Sequence, residues 1–359
     1  MSSVRLASKL WFAALIGLCA AAFLAGPALA DPWPHQVLKF QQLPLHGTVI
    51  NGQQYWGHDE ESQLVGIVPA GGNQPNMYTG QAMADDFSDY LSQPIQHLRW
   101  WGSYINMLQP PAQVQKFLVV IESDVPANPD IPGSFSHPGQ VLWSQILLRD
   151  PNPQPGPPAP GFFKETFVMP SILPGQPGPI ESLYEYNAEL APMPWQDLFA
   201  QREKTVYWLK IAALVDVSEE NPTPPFKWGW HNRDYTVRDQ LACTPPAVVS
   251  GEHVKGVIPD PFGGGQTPIW HHQDDAVASR ALLLIAGPEP LVEQYDFRPQ
   301  HYVDFLDGPG QIEGFPGIVQ FSKDLAFEIY AVPEPGALAL VLSGATVALG
   351  AVWFKRNKP

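Results

Sequence analysis

Hydrophobic and polar positions along the middle of the chain form short runs that are typical of β-strands. Seven runs are rich in β-branched, aromatic and other apolar residues and are bounded by turn residues: 96–104, 116–122, 140–147, 163–169, 206–214, 281–285 and 325–330. Residues 117–121 are apolar throughout, which predicts a central strand covered on both faces. Outside the two termini no window has convincing helical periodicity, so we predict a mostly β protein.

Proline and glycine separate these runs. The chain has 41 Pro and 30 Gly among its 359 residues, and a Pro inside a helix costs about 3 kcal/mol. The densest break, 151–160, contains six prolines, and we interpret it as an extended loop because strand-like sequence continues on both sides. We therefore predict an antiparallel, jelly-roll-like β-sandwich over residues 31–331, with a candidate subdomain boundary near 243–268.

Residues 1–30 have the organisation of a secretory signal peptide. Arg5 and Lys9 precede the apolar run 10–24, and Ala28 and Ala30 complete an A-x-A cleavage pattern. The apolar run is short for a membrane span, which favours cleavage over anchoring. We expect export through the secretion translocon.

The C-terminal segment 332–359 has three consecutive parts. The first is a Pro-Glu-Pro motif formed by Pro333, Glu334 and Pro335. An uncharged stretch follows at residues 336–354, and a basic tip ends the segment with Lys355, Arg356 and Lys358. A helix over the uncharged stretch would be about 28 Å long, close to the ~30 Å hydrocarbon core of a bilayer. The basic tip should stay in the cytoplasm, which predicts that residues 31–332 lie outside it.

The order of motif, apolar stretch and basic tip closely resembles the PEP-CTERM sorting signal of exopolysaccharide-producing Gram-negative bacteria. In that family a membrane-embedded cysteine transpeptidase, the exosortase, recognises the motif and releases the protein to the surface or matrix. The resemblance implies this role for residues 333–335, with transient residence in the inner membrane. Pro288-Glu289-Pro290 repeats the tripeptide without a following apolar stretch. A plain C-terminal anchor is the alternative.

A second resemblance concerns the middle of the chain. Six short landmarks are similar to those of an uncharacterised β-rich domain of secreted PEP-CTERM proteins: 39–42, 84–87, 100–103, 137–139, 207–209 and 324–327. The domain would cover roughly residues 39–330. This resemblance implies a location and a fold, and it implies no activity.

Charge and cysteine content exclude two classes of protein. Residues 31–333 carry 15 basic and 34 acidic residues, a net charge of −19, and this field repels phosphate backbones, so we predict no nucleic-acid binding. Cys19 lies in the predicted signal peptide, which leaves Cys243 as the single thiol of the mature chain. An internal disulfide is therefore excluded, and we interpret Cys243 as a buried or inert thiol.

Two groups of polar residues are candidate metal ligands. On a strand, residues 271–275 (His-His-Gln-Asp-Asp) would direct at most two ligands to one side. The second group consists of Glu122, Asp124, Asn128 and Asp130. Its oxygens could bind calcium, but the segment lacks the Gly and the terminal Glu of an EF-hand. We predict no metal site or other cofactor, with calcium as an alternative, and we interpret 58–61 and 85–86 as solvated acidic turns.

Motifs for catalysis are absent: the chain has no G-x-S-x-G, H-E-x-x-H, phosphate-binding loop or dinucleotide fingerprint. We therefore assign no catalytic residue, although a glycosidase needs only two suitably spaced carboxylates. Most tryptophans should fill the core, and Trp228 and Trp230 are the best candidates for an exposed pair that stacks on sugar rings.

These observations favour a non-enzymatic structural or adhesive component of an exopolysaccharide matrix. A carbohydrate-binding module and a polysaccharide hydrolase are the alternatives.

Overall fold

The computed structural model describes residues 36–331 with the exception of 51–52, 58, 73, 89–90, 127, 129, 132–134, 153, 172–177, 204, 234–253, 260–265, 271–275, 286–288 and 300–323. The predicted signal peptide, the Pro-Glu-Pro motif at 333–335 and the apolar stretch 336–354 therefore lie outside the described residues.

The described residues form strands and contain no helix. In chain order the strands are β1 (Val37–Gln42), β2 (His46–Ile50), β3 (Gln53–Trp56), β4 (Asp59–Glu61), β5 (Gln63–Val68), β6 (Met77–Phe87), β7 (Ile95–Tyr104), β8 (Lys116–Val125), β9 (His137–Arg149), β10 (Phe162–Ser171), β11 (Glu181–Glu189), β12 (Tyr207–Ser218), β13 (Trp228–His231), β14 (Val254–Pro259), β15 (Gln266–Trp270), β16 (Val277–Leu284), β17 (Leu291–Pro299) and β18 (Phe327–Ala331). Within the described part of the chain, no helix is long and apolar enough to cross a membrane.

Fourteen of these strands form one sheet in the order β1-β18-β7-β11-β10-β9-β8-β12-β5-β6-β16-β17, with β13 joined to β7 and β4 joined to β13. The neighbours pair antiparallel except β12 with β5 and β10 with β9, which pair parallel. β2 pairs with β3 and β14 with β15 as separate two-stranded sheets. The mostly β prediction is confirmed, and the parallel contacts make the main sheet mixed.

The main hydrophobic core lies between two parts of this sheet that face each other. Trp100 of β7 meets Phe117 of β8 edge to face at 5.2 Å between ring centroids. Phe87 of β6 similarly meets Phe327 of β18 at 6.4 Å. Because these strands are distant in sheet order, their contacts show that the sheet folds back on itself.

A second core covers the other face of β8 and β12. Leu118 and Val120 of β8 point into it, whereas Phe117, Val119 and Ile121 point into the main core. Val292 of β17 and partly buried residues of β9 also pack against this second core. The predicted central strand, apolar on both faces, is thus confirmed for β8.

The proline-rich segment 151–160 connects β9 to β10, and both strands belong to the main sheet. This confirms that the segment is a loop within the domain. The candidate subdomain boundary at 243–268 falls largely outside the described residues and stays a prediction.

Candidate functional site

The tryptophans proposed for sugar binding lie inside the protein. Trp228 and Trp230 of β13 are both 0 % exposed. The Nε1–H of Trp228 donates to the hydroxyl of Tyr186 at 3.0 Å, and that of Trp230 donates to the carbonyl of Ala326 at 2.9 Å. The expectation of an exposed pair is therefore wrong at these positions, because their shared strand face points into the main core.

The candidate calcium ligands are engaged elsewhere. Glu122 lies against the Lys210 amine in the interior, with 3.0 Å between Oε2 and Nζ. Asp124 accepts hydrogen bonds from Ser136 at 2.6 Å and from the indole of Trp208 at 2.9 Å. Among the described residues, no three His, Cys, Asp or Glu side chains are grouped as metal ligands. The candidate at 271–275 and Cys243 lie outside the described residues.

The acidic residues at 59–61 and 85–86 differ from their prediction as solvated turns, because Asp59, Asp85 and Asp86 are buried in strands. Asp59 is 8 % exposed and starts β4, which pairs with β13 so that Asp59 lies directly opposite His231. Trp228 and Trp230 occupy the core face of β13, so His231 and Gly229 occupy the other face. Burial of a carboxylate requires partners, and the fold supplies them from two other strands.

The first partner of Asp59 is the imidazole of His231. Its Nδ1 lies 3.1 Å from Asp59 Oδ1, and its Nε2 lies 2.7 Å from the carbonyl oxygen of Leu45. Both ring nitrogens thus face acceptors, which the doubly protonated imidazolium satisfies. Burial by itself would lower the pKa of His231, but the Asp59 charge and the two hydrogen bonds outweigh burial and raise it.

The second partner is Glu181 of β11, which is 1 % exposed. Burial, followed by the nearby negative charge of Asp59, raises the pKa of Glu181 to about 9. The backbone N–H of Asn106 donates to Glu181 Oε2 at 3.1 Å. Glu181 Oε1 and Asp59 Oδ2 have no other hydrogen-bond partner among the described residues. A protonated Glu181 that donates to Asp59 satisfies both oxygens.

Asp59, Glu181 and His231 form one neutral unit, which we call the carboxyl–histidine cluster. It combines an anion, a neutral acid and an imidazolium, so its burial leaves no net charge in the interior. The Glu181 carboxyl group lies within hydrogen-bonding reach of Asp59, which is closer than the ~5 Å spacing of a retaining glycosidase pair. The arrangement holds a proton between strands and joins β4, β11 and β13.

Sequence reasoning missed this cluster because its members are far apart in the chain and only the tertiary fold brings them together. One local signal was present. Gly229 between two tryptophans indicates a strand position where another group approaches the backbone closely. A Cβ built on Gly229 would lie 2.7 Å from the Cβ of Asp59.

We expect Gly229→Ala to lower the free energy of unfolding by about 1–3 kcal/mol, because the new methyl group overlaps Asp59 and displaces it from Glu181. Urea denaturation of the purified protein measures the change. Gly178→Ala is the matched control, since nothing lies within 4 Å of a Cβ at that position. Its effect should stay below about 1 kcal/mol, and equal effects of the two substitutions would contradict the close packing of Asp59.

Comparison with known proteins provides one match. Searches of curated proteins and of solved structures both return no match. A family model described as a domain of unknown function, DUF7901, matches residues 38–263. The match covers β1 to β14 and part of the segment that follows, which is more than half of the chain. The chain therefore belongs to the DUF7901 family.

Proposed function

We propose that the chain is an exported surface or matrix protein whose β domain serves as a non-enzymatic structural or adhesive component of exopolysaccharide. In this proposal the translocon exports it, the C-terminal segment holds it briefly in the inner membrane, and an exosortase-type transpeptidase processes it at Pro333-Glu334-Pro335. The terminal segments support the route, because their apolar lengths, small residues and basic tip meet the requirements of export and membrane insertion.

The structural role is supported by one observation: side chains that could bind a ligand or react instead pack and pair with one another inside the domain. Trp228 and Trp230 fill the core, the carboxyl–histidine cluster joins three strands, and the Lys210–Glu122 pair lies inside the sheet at 0 % exposure of both side chains. A domain that must persist outside the cell without a disulfide gains stability from such contacts. We propose no cofactor for this role.

The sorting route is tested by replacing Glu334 with alanine in the cell of origin. We expect the variant to accumulate unprocessed in the inner membrane, because the transpeptidase would no longer recognise the motif. Fractionation followed by immunoblotting measures the distribution. Glu289→Ala is the matched control, since it alters the same tripeptide where no apolar stretch follows, and it should reach the surface normally. Normal release of the Glu334 variant would contradict the proposed route.

A further inference from the structure

Three reactive groups meet on the second-core face of the sheet. Lys210 of β12 and Glu122 of β8 are both completely buried, with Lys210 Nζ 3.0 Å from Glu122 Oε2 and 3.2 Å from Oε1. Lys210 Nζ also contacts Oε1 of the Gln294 side chain, from β17. The amine therefore lies against a carboxyl group and a primary amide at the same time.

The curvature of the sheet creates this meeting. β6 and β16 separate β12 from β17 in the sheet, so Lys210 and Gln294 would be too far apart in a flat arrangement. Small residues line the face between them, since Ala84 lies opposite Lys210 and Ala281 lies opposite Gln294. The Gln294 Nε2–H donates to the carbonyl of Gly139 in β9 at 3.3 Å, which orients the amide.

Burial prepares the groups for reaction. Desolvation lowers the pKa of Lys210, and the charge of Glu122 opposes this shift. Desolvation raises the pKa of Glu122, with Lys210 and the Gln294 amide acting in the opposite direction. Both shifts favour a neutral amine beside a protonated carboxyl group. A neutral lysine amine is a nucleophile, and a protonated carboxyl group is a general acid.

The surroundings of Glu122 Oε2 favour a proton on that atom. It lies 3.0 Å from Lys210 Nζ, but the angle is outside hydrogen-bond geometry, and it has no hydrogen-bond partner among the described residues. A buried carboxylate oxygen without a donor is costly, whereas a protonated oxygen can offer its proton to the neutral Lys210 amine beside it.

We propose that Lys210 and Gln294 join in an intramolecular isopeptide bond and that Glu122 is the catalytic proton carrier. Lys210 Nζ attacks Gln294 Cδ, a C–N bond forms, and the bond from Cδ to Nε2 breaks. Glu122 gives its proton to the leaving nitrogen and takes one from the attacking nitrogen, so it ends in its starting state. The leaving nitrogen departs as ammonia, and the reaction needs no oxidant, metal or cofactor.

The surroundings suit this reaction. Gln294 is only partly buried, which gives ammonia a route to solvent. The bond would tie β17, at one end of the sheet order, to β12 in its middle. It would thereby supply a covalent link to a mature chain that cannot form an internal disulfide. This inference goes beyond the proposed function and does not depend on the sorting route.

Peptide mapping of the purified full-length chain by mass spectrometry tests the proposal. We expect a branched peptide that joins the fragments containing Lys210 and Gln294, lighter than their sum by one ammonia. Folded protein that instead yields the two fragments as separate, unmodified linear peptides would overturn the proposal.

Two variants test the roles of the individual groups. Glu122→Gln keeps the size of the side chain and removes the proton carrier, so both linear peptides should appear while circular dichroism shows retained β structure. Gln294→Glu should form the identical linkage with loss of water in place of ammonia. Asp216→Asn, on the same strand as Lys210 but partly exposed, is the control and should keep the branched peptide. Complete linkage in Glu122→Gln would contradict its catalytic role.

Discussion

Replacing Trp228 with alanine is expected to lower the free energy of unfolding by about 3–5 kcal/mol. The indole is fully buried and packs edge to face on Phe117 at 4.8 Å and on Tyr186 at 5.7 Å between ring centroids. Its loss leaves a cavity in the main core and removes the hydrogen bond to the Tyr186 hydroxyl. Because domains are typically stable by only about 5–15 kcal/mol, a substantial unfolded fraction is expected.

Urea denaturation followed by tryptophan fluorescence and circular dichroism measures this loss. Tyr295→Ala is a suitable control, because this aromatic ring lies on β17 and is 61 % exposed. Its effect should remain within about 0.5 kcal/mol. A Trp228→Ala protein with unchanged stability would show that the ring is not a core residue, and the carbohydrate-binding alternative would then regain this position.

The second large effect is a loss of stability as the pH rises, caused by the carboxyl–histidine cluster. Unfolded Glu181 titrates near its ordinary pKa of 4.5, whereas folded Glu181 titrates at about 9. Between these pH values the folded state binds one proton more than the unfolded state. The stabilising contribution is therefore complete below the unfolded pKa and is lost as the pH rises through the folded pKa. The slope from this one group is at most about 1.4 kcal/mol per pH unit.

His231 acts in the same direction. Its raised pKa means that the imidazolium contributes stability below its ordinary pKa of 6.5, and that this contribution is lost as the pH rises through the folded value. A further charged pair on β4 joins Glu61 to Lys227 at 2.7 Å, largely in solvent. Surface pairs of this kind contribute little and add little to the slope.

Glu181→Gln isolates the contribution of the shared proton. The amide keeps a permanent donor for Asp59, so the variant should lose less stability than the natural protein between pH 6 and pH 9. Urea denaturation at several pH values across this range gives both slopes. Glu61→Gln, on the same strand as Asp59, should retain the slope of the natural protein. Identical slopes for Glu181→Gln and the natural protein would show that Glu181 is ionised in the folded state.

Hydrophobic periodicity predicted the burial of a strand correctly where both of its faces have the same apolar environment. β8 was recognisable as a central strand because both of its faces meet apolar cores. Its residues are therefore apolar in succession and do not alternate with polar ones. β13 shows the opposite case. The alternation of Trp228, Gly229 and Trp230 predicts correctly that both rings share a face, but the sequence does not say whether that face meets solvent or another part of the sheet.

The candidate site was even less accessible to sequence reasoning. Asp59 and Glu181 are separated by more than a hundred residues, and Glu181 and His231 by fifty. Strand register places Asp59 opposite His231, and the tertiary fold brings Glu181 of β11 to them. Asp59 lies in a run of acidic residues that would be solvated in isolation. Its burial depends on an imidazolium and a neutral acid supplied by other strands.

Periodicity and composition were enough to establish the β class, because prolines between the termini disfavour long helices and the short apolar runs match strand periodicity. The count of two cysteines also limits the chain to at most one internal disulfide. The buried face of each strand and the meetings of distant polar groups, such as Lys210 with Glu122 and Gln294, became known from the folded structure. The physical reason is that local periodicity fixes how side chains alternate, whereas burial and charge pairing depend on contacts between strands that are remote in the chain.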